Sequence, residues 1–399
     1  MRAPTAKAGS QDTDPLPQAP GSFRVQLVSK PGSPATGIGR YRAELERGLR
    51  GVGADVRDAP LRSAVPAAVA RVAKRMGYDL EAFGRSYPLR ADLDEGYITH
   101  LTSQTLATLL LSQRLPRPVV VTVHDILPYL LRDDPAFSVY RHRVDRLMDD
   151  LAMRGLRRAD RLIAVSHYTK LTVVETLDVP PERIDVVHLG VDTERFRPQP
   201  VPETFRLRYD LPEGGVYVLA VGSEDPRKDL PTLLRAVALL RRDGVEAALL
   251  KVGKPAFAEQ RARNLRLCGE LGIADSVRWF DGVPEEDLPL FYNAARVLAF
   301  PSRYEGFGFP VLEALACGTP VVAARAASVP ELVGAGTRLV EPGSPKAWAK
   351  ELGEMLATHT PIDQGMLVGQ AERFSWHDCL AGTLRSYLMA AGEGPALDR

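Results

Sequence analysis

Glu305 and Glu313 stand eight residues apart in the run Phe300-Pro301-Ser302-Arg303-Tyr304-Glu305-Gly306-Phe307-Gly308-Phe309-Pro310-Val311-Leu312-Glu313. Gly306 and Gly308 make a turn, and Pro310 suits the first position of a helix, where its missing N–H costs nothing. A glycine turn opening on a helix presents backbone N–H groups beside a positive helix end. That arrangement suits a diphosphate even though the turn itself has no lysine. A carboxylate accepts two hydroxyl hydrogen bonds at once, so each acid fits a vicinal diol, Glu305 one on a sugar and Glu313 one on a ribose. The plainer alternative is that Glu313 is a helix-start acid favoured by the macrodipole and that the glycines only permit a tight turn.

Other residues stand where chemistry collects. The loop from Lys30 to Tyr41 carries Gly37 and Gly39, and a G-x-G after a first strand lets backbone approach a phosphate or an acceptor. A plain strand-to-helix turn is the alternative, and no Gly-Lys-Ser/Thr follows to make a Walker loop. His124 and Asp125 end the apolar run Val119 to Val123, with Asp125 readable as a cap on the next turn. His100 follows a shorter run. Ser166 is an N-cap, because no glycine elbow surrounds it as a nucleophile would need. Asp92-Leu93-Asp94 has a metal-gripping spacing but precedes a strand, so it reads as a solvated turn.

These residues need a scaffold that gathers strand ends. From Phe23 onward, short apolar runs alternate with helical patterns: Phe23 to Val28, a helix from Ile38 to Leu49, then runs at Tyr97 to Leu101, Val119 to Val123, Arg161 to Val165 and Ile184 to His188. Strands apolar on both faces and separated by helices predict a parallel sheet with right-handed crossovers. Phe196 to Pro202 holds Pro198, Pro200 and Pro202 and fits neither period, which marks a linker. A second α/β unit follows, with strands at Val216 to Val221, Ala247 to Val252, Val277 to Phe280, Val297 to Phe300 and Pro320 to Ala323. The expected organisation is a disordered tail over 1–21, a Rossmann-like domain over 22–200, a second over 203–374, and a helix within 375–392 crossing back onto the first. Function should lie in the cleft between the two doubly wound sheets.

The chain has 399 residues, 51 Lys+Arg against 50 Asp+Glu, and 45% hydrophobic residues. Collagen-like, disulfide-framed and wholly disordered chains are excluded, and a net charge of +1 gives no sign of a nucleic-acid partner. No apolar run is long enough to span a bilayer. Cys268, Cys317 and Cys379 are an odd, scattered set, so inert thiols in a reducing cytoplasm are expected, and no cysteine metal site. The arginine-rich helix around Arg141 to Arg161 reads as a solvated face, with contact to anionic lipid or a phosphorylated acceptor as the alternative.

The segment from Glu305 to Pro320 resembles the acid-x7-acid signature of the family 4 retaining glycosyltransferases, in the form E-G-F-G-x-P-x-x-E-A-x-A-x-G-x-P. Similar too are Val221-Gly222-Ser223 leading to the basic pair Arg227-Lys228, Ala164-Val165-Ser166, Gly190-Val191-Asp192, Ser328-Val329-Pro330-Glu331 and Phe374-Ser375-Trp376. The likeness covers most of residues 22–390, and the G-I-G-R-Y and V-H-D-I runs are closest to bacterial mannosyltransferase-like members. The resemblance implies the GT-B fold, two facing Rossmann-like domains with a nucleotide sugar held mainly by the second. It implies that Arg227 and Lys228, with Gly222 and the amides of Gly306, Phe307, Gly308 and Phe309, meet the donor diphosphate. His124 would face the transferred sugar as a neutral imidazole, and Gly37 and Gly39 would approach the phosphate or the acceptor. Lys254 and Val283, on loops after strands, are expected near the base.

The function implied is retaining transfer of a hexosyl group, in the mannosyl direction, from a GDP-sugar or UDP-sugar to a hydroxyl acceptor, with no cofactor and no metal. The setting expected is the cytoplasm, with peripheral contact at the inner membrane face. A nucleotide-sugar epimerase or hydrolase of the same fold, and a non-catalytic nucleotide-sugar-binding scaffold, are the alternatives. Residues 60–95, which would shape the acceptor pocket, match no pattern.

Overall fold

The computed structural model describes residues 23–30, 36–62, 75, 84, 86–140, 142–255, 257–334, 336–357 and 363–392. The tail expected over 1–21, residues 31–35 of the first glycine loop, and most of the stretch between 63 and 85 lie outside the described residues.

Two six-stranded parallel sheets form the frame. The first is built from β1 (Arg24–Val28), β2 (Asp55–Asp58), β5 (Ile98–Leu101), β6 (Val119–Val123), β7 (Arg161–Ala164) and β8 (Ile184–Val186), in the order β2-β1-β5-β6-β7-β8. A small antiparallel pair, β3 (Leu61–Arg62) with β4 (Arg90–Ala91), stands beside it. The second sheet takes β9 (Tyr217–Val221), β10 (Ala248–Val252), β11 (Val277–Phe280), β12 (Val297–Phe300), β13 (Val321–Ala324) and β14 (Thr337–Val340), in the order β11-β10-β9-β12-β13-β14. β6 is buried at all five positions and β12 at all four, as strands covered by helices on both faces must be.

Strand order places the crevices. In the first sheet the winding reverses between β1 and β5, and in the second between β9 and β12. Ligands in open sheets bind outside the carboxyl ends at such reversals. The segments leaving those ends are Lys30 and its loop, Gly222 onward, and Pro301 to Gly308. The glycine turn and the basic pair are therefore neighbours because β9 and β12 are neighbours, although Lys228 and Glu305 are 77 residues apart in the chain.

The helix Trp376–Ala391 lies on the first domain. Tyr387 Oη is 2.6 Å from His100 Nδ1, Ser386 Oγ donates to Asp185 over 2.8 Å, and Leu380 packs against Gly48. His100 also bonds Thr122 Oγ1 at 2.8 Å, so both ring nitrogens are used and burial pushes its pKa down to about 3. His100 is thus an anchor for the C-terminal helix and not a cleft residue.

Candidate active site

The turn after β12 is held from below and from behind. Ser328, fully buried, donates from Oγ to the carbonyls of Phe307 (2.6 Å) and Glu305 (3.0 Å). Gly308 has φ 126°, a conformation that costs glycine little, and it passes directly into the helix Phe309–Ala316 with Pro310 in its first turn. Gly306 is required for a different reason. A Cβ there would sit 1.9 Å from the carbonyl oxygen of His124, so only glycine lets this turn touch the opposite domain.

The basic pair meets this turn. Asp225 accepts from the Arg227 backbone N–H (2.9 Å) and Nε (3.0 Å), which fixes the guanidinium. Arg303 ties the two segments together, its N–H donating to the Arg227 carbonyl at 2.8 Å and its Nε to Asp229 at 2.7 Å. Lys228 Nζ donates to Glu305 Oε1, the oxygen that also accepts from Ser302 Oγ at 2.5 Å. A carboxylate and two cations therefore share one rim of the cleft.

The first domain faces them across a cavity of about 380 Å³, lined among others by Gly37, His124, Gly222, Lys228, Glu305 and Phe309. His124 Nε2 lies 3.0 Å from the Thr102 carbonyl, so this nitrogen carries the proton and Nδ1 is left as an acceptor. Burial draws its pKa down to about 4; the Thr102 bond opposes that and Lys30 adds to it, so the ring is neutral at pH 7. Asp125 belongs to the same group. Burial raises its pKa, Arg227 and Lys228 pull it back, and Glu305 pushes it up further, which shows it facing the cluster. Its Oδ1 also accepts from the Leu127 N–H at 3.1 Å. The sequence placed Asp125 at a strand end where chemistry collects, with a turn cap as the alternative; both hold, and the charges it faces come from the second domain.

Glu313 lines the cavity but is only 2% exposed. Arg40 of the first domain pairs with its Oε1 at 2.5 Å and Tyr292 Oη donates to its Oε2 at 2.6 Å. Both oxygens expected to meet a ribose are thus held by protein groups, and Arg40 crosses the cleft to do so. The arginine rests over Phe309 (5.3 Å) and Phe196 (5.8 Å). Gly37 belongs to the cavity wall, its Cα opposite the Phe309 ring. Gly39 does not line the cavity; its N–H bonds the Thr36 side chain that caps the first helix. Lys254 and Val283 also lie outside the lining, on the adjoining loops after β10 and β11, where Lys254 rests against Gly282.

Further contacts join the domains. Ser166 caps the helix His167–Leu177 through the Thr169 N–H and donates to the Gly306 carbonyl at 2.8 Å. Glu331 accepts from the N–H groups of His167 and Tyr168, both at 2.8 Å, so an acid of one domain caps a helix of the other. A larger hollow of about 860 Å³, lined by Leu110 to Arg117, opens at the amino end of β6 and shares no residue with this cluster.

Asp92 and Asp94 are paired with Arg62 and Arg57 ahead of β5, at the opposite edge from the cleft. Cys268, Cys317 and Cys379 are free and buried. Among the described residues no helix is long and apolar enough to cross a membrane.

Residues 35–195 match the model of the family described as Glycosyltransferase Family 4, and residues 202–363 match that of Glycosyl transferases group 1. The chain is 38% identical over 238 residues to a D-inositol 3-phosphate glycosyltransferase of Frankia alni, a match spanning 57% of this chain and 58% of that protein. It is 30% identical over 285 residues to the O-antigen chain mannosyltransferase B of Escherichia coli, spanning 69% of this chain and 71% of that one. In fold it superposes on sucrose-phosphate synthase from Thermosynechococcus elongatus with a TM-score of 0.69 at 23% identity, covering 92% of this chain and 100% of the other. Anabaena HepE in complex with UDP-glucose gives 0.68 at 21% identity, covering 91% and 100%. The two facing sheets are the GT-B architecture, and with matches along both domains the chain belongs to family 4 of the glycosyltransferases.

Proposed function

We propose that this protein is a retaining hexosyltransferase that moves a sugar, mannosyl in the first instance, from GDP or UDP to a hydroxyl acceptor. The observation that carries the reading is the meeting of Glu305, Lys228 and Arg227 on one rim of a cleft whose other rim is His124 and Asp125. The second domain would hold the donor and the first the acceptor.

Breaking the bond between the anomeric carbon and the phosphate oxygen builds charge on the departing diphosphate. Arg227, Lys228 and the N–H groups at the start of the helix Phe309–Ala316 neutralise it, each well-placed donor supplying about 3 kcal/mol. The acceptor oxygen attacks on the face the phosphate leaves, through an oxocarbenium-like ion pair, and the acceptor proton passes to the leaving phosphate oxygen. Glu305 orients the sugar and does not bond to it, since its oxygen is engaged by Lys228 and Ser302. Neutral His124 accepts a sugar hydroxyl through Nδ1, and Asp125 stands ready to order the same hydroxyls. Gly222, with φ 132°, lets the chain turn beneath the Lys228 amine, and the adjoining loops of Lys254 and Val283 are the side from which the base would reach.

The setting we propose is cytoplasmic, with peripheral contact to anionic lipid through the helix Arg143–Leu156, which exposes Val144 and Leu147 beside Arg143. Purified protein given α-configured GDP- and UDP-hexoses with a panel of hydroxyl acceptors should form a product whose anomeric signal is again α by proton NMR. A β product would overturn same-face transfer, and nucleoside diphosphate released at equal rate without acceptor would favour a hydrolase.

A further inference from the structure

Glu331 meets two imidazoles at the seam between the domains. His167 opens the helix after β7, His188 follows β8, and Glu331 lies in the turn of helix Val329–Leu332 after β13. One ligand-capable atom from each of the three lies within 4.8 Å of the others. His188 Nε2 is 3.1 Å from Glu331 Oε2, close to the separation of two ligands on a tetrahedral ion with bonds near 2 Å. The His167 and His188 rings meet edge to face, their centres 5.6 Å apart.

We propose that His167, His188 and Glu331 bind one divalent transition-metal ion of the zinc class, which staples the two domains together. Two imidazoles and one carboxylate form a recurrent zinc set that leaves a fourth position for water. The carboxylate is aimed from behind by the His167 and Tyr168 N–H groups, the kind of outer support that metal ligands need. His167 is exposed and gives the ion an entry path, while His188 stands against Phe307 of the glycine turn and Phe374. Because the ligands come from both domains, the ion binds only the arrangement in which they touch, and it stabilises that arrangement by linkage. None of the three ligands lines the donor cavity, although His188 adjoins it at Phe307, and the proposal does not rest on the transfer reading.

The test is titration of the metal-free full chain with Zn2+ against a chromophoric chelator at pH 7.5, and with Co2+ followed by its visible absorption. Wild type should take up one equivalent and give the intense bands of four-coordinate cobalt. His167→Ala, whose surface position leaves folding intact, should lose those bands and weaken zinc binding by more than about tenfold, since even outer-shell changes cost that much. His188→Ala should do the same, with circular dichroism checking its fold. No uptake by wild type, or uptake and bands that survive His167→Ala, would overturn the proposal.

Discussion

Lys228→Ala is expected to lower the turnover of sugar transfer by about a hundred- to a thousandfold with donor and acceptor saturating. The lysine ammonium is the cation that the turn after β12 receives directly, through Glu305 Oε1, and it lies beside Gly222 at the reversal of the sheet. Two losses combine. A charge needed as the diphosphate departs is gone, and the Glu305 carboxylate keeps only the Ser302 hydroxyl on that oxygen. Because charge grows as the bond breaks, the effect should appear in kcat more than in KM. Glu305→Gln keeps the shape and removes the ion pair, so it should also fall by about a hundredfold. Steady-state kinetics on wild type and both variants, with thermal midpoints to verify folding, decide the matter; unchanged kcat in Lys228→Ala would refute the assigned role.

Arg40→Met is expected to destabilise the domain-closed protein by about 3 kcal/mol, because removing one partner of a buried pair leaves the other charge unpaired. Glu313 would retain only the Tyr292 hydroxyl in a site almost closed to water. Arg40 and Glu313 sit on different domains, so the cost should fall on their contact rather than on either core. Adding Glu313→Gln removes the stranded charge, and the double variant should recover part of the loss, a coupling of about 1 kcal/mol or more. A double-mutant cycle on chemical unfolding, with X-ray scattering to read the opening, checks this. Strictly additive effects would show that the pair is not coupled. The same pair bears on donor binding: if Glu313 is to hold a ribose, Arg40 must yield its place or share it.

Much of the frame was legible because buried strands announce themselves. Val119–Val123, Val297–Phe300 and Val321–Ala324 are apolar on both faces, and that pattern has few other meanings. β2 and β14 were not legible. Asp-Val-Arg-Asp and Thr-Arg-Leu-Val are sheet edges, where one side meets solvent and charged residues guard against further pairing. The helix Gln364–Glu372, inside the expected second domain, escaped as well, since it has little amphipathic pattern to show.

At the cleft, the glycine turn and the basic pair could be read because each is a local signal in the chain. Arg40 and Asp225 could not be singled out in the same way, and Asp125 could be placed at a strand end but not given its charge partners. Their roles come from partners that only folding supplies: Glu313 is 273 residues from Arg40, and Asp125 answers to charges of the opposite domain. Asp225 sits within a motif already noticed, and its capping position before the Pro226–Lys228 turn was the available clue.

The most direct test of the convergence at the cleft is a crystal structure with GDP or UDP bound. The account predicts both phosphates in the cleft of about 380 Å³, with Arg227, Lys228 and the N–H groups opening the helix Phe309–Ala316 at hydrogen-bonding distance, about 3 Å. A diphosphate lodged away from that cluster, for instance in the hollow at the amino end of β6, would contradict it.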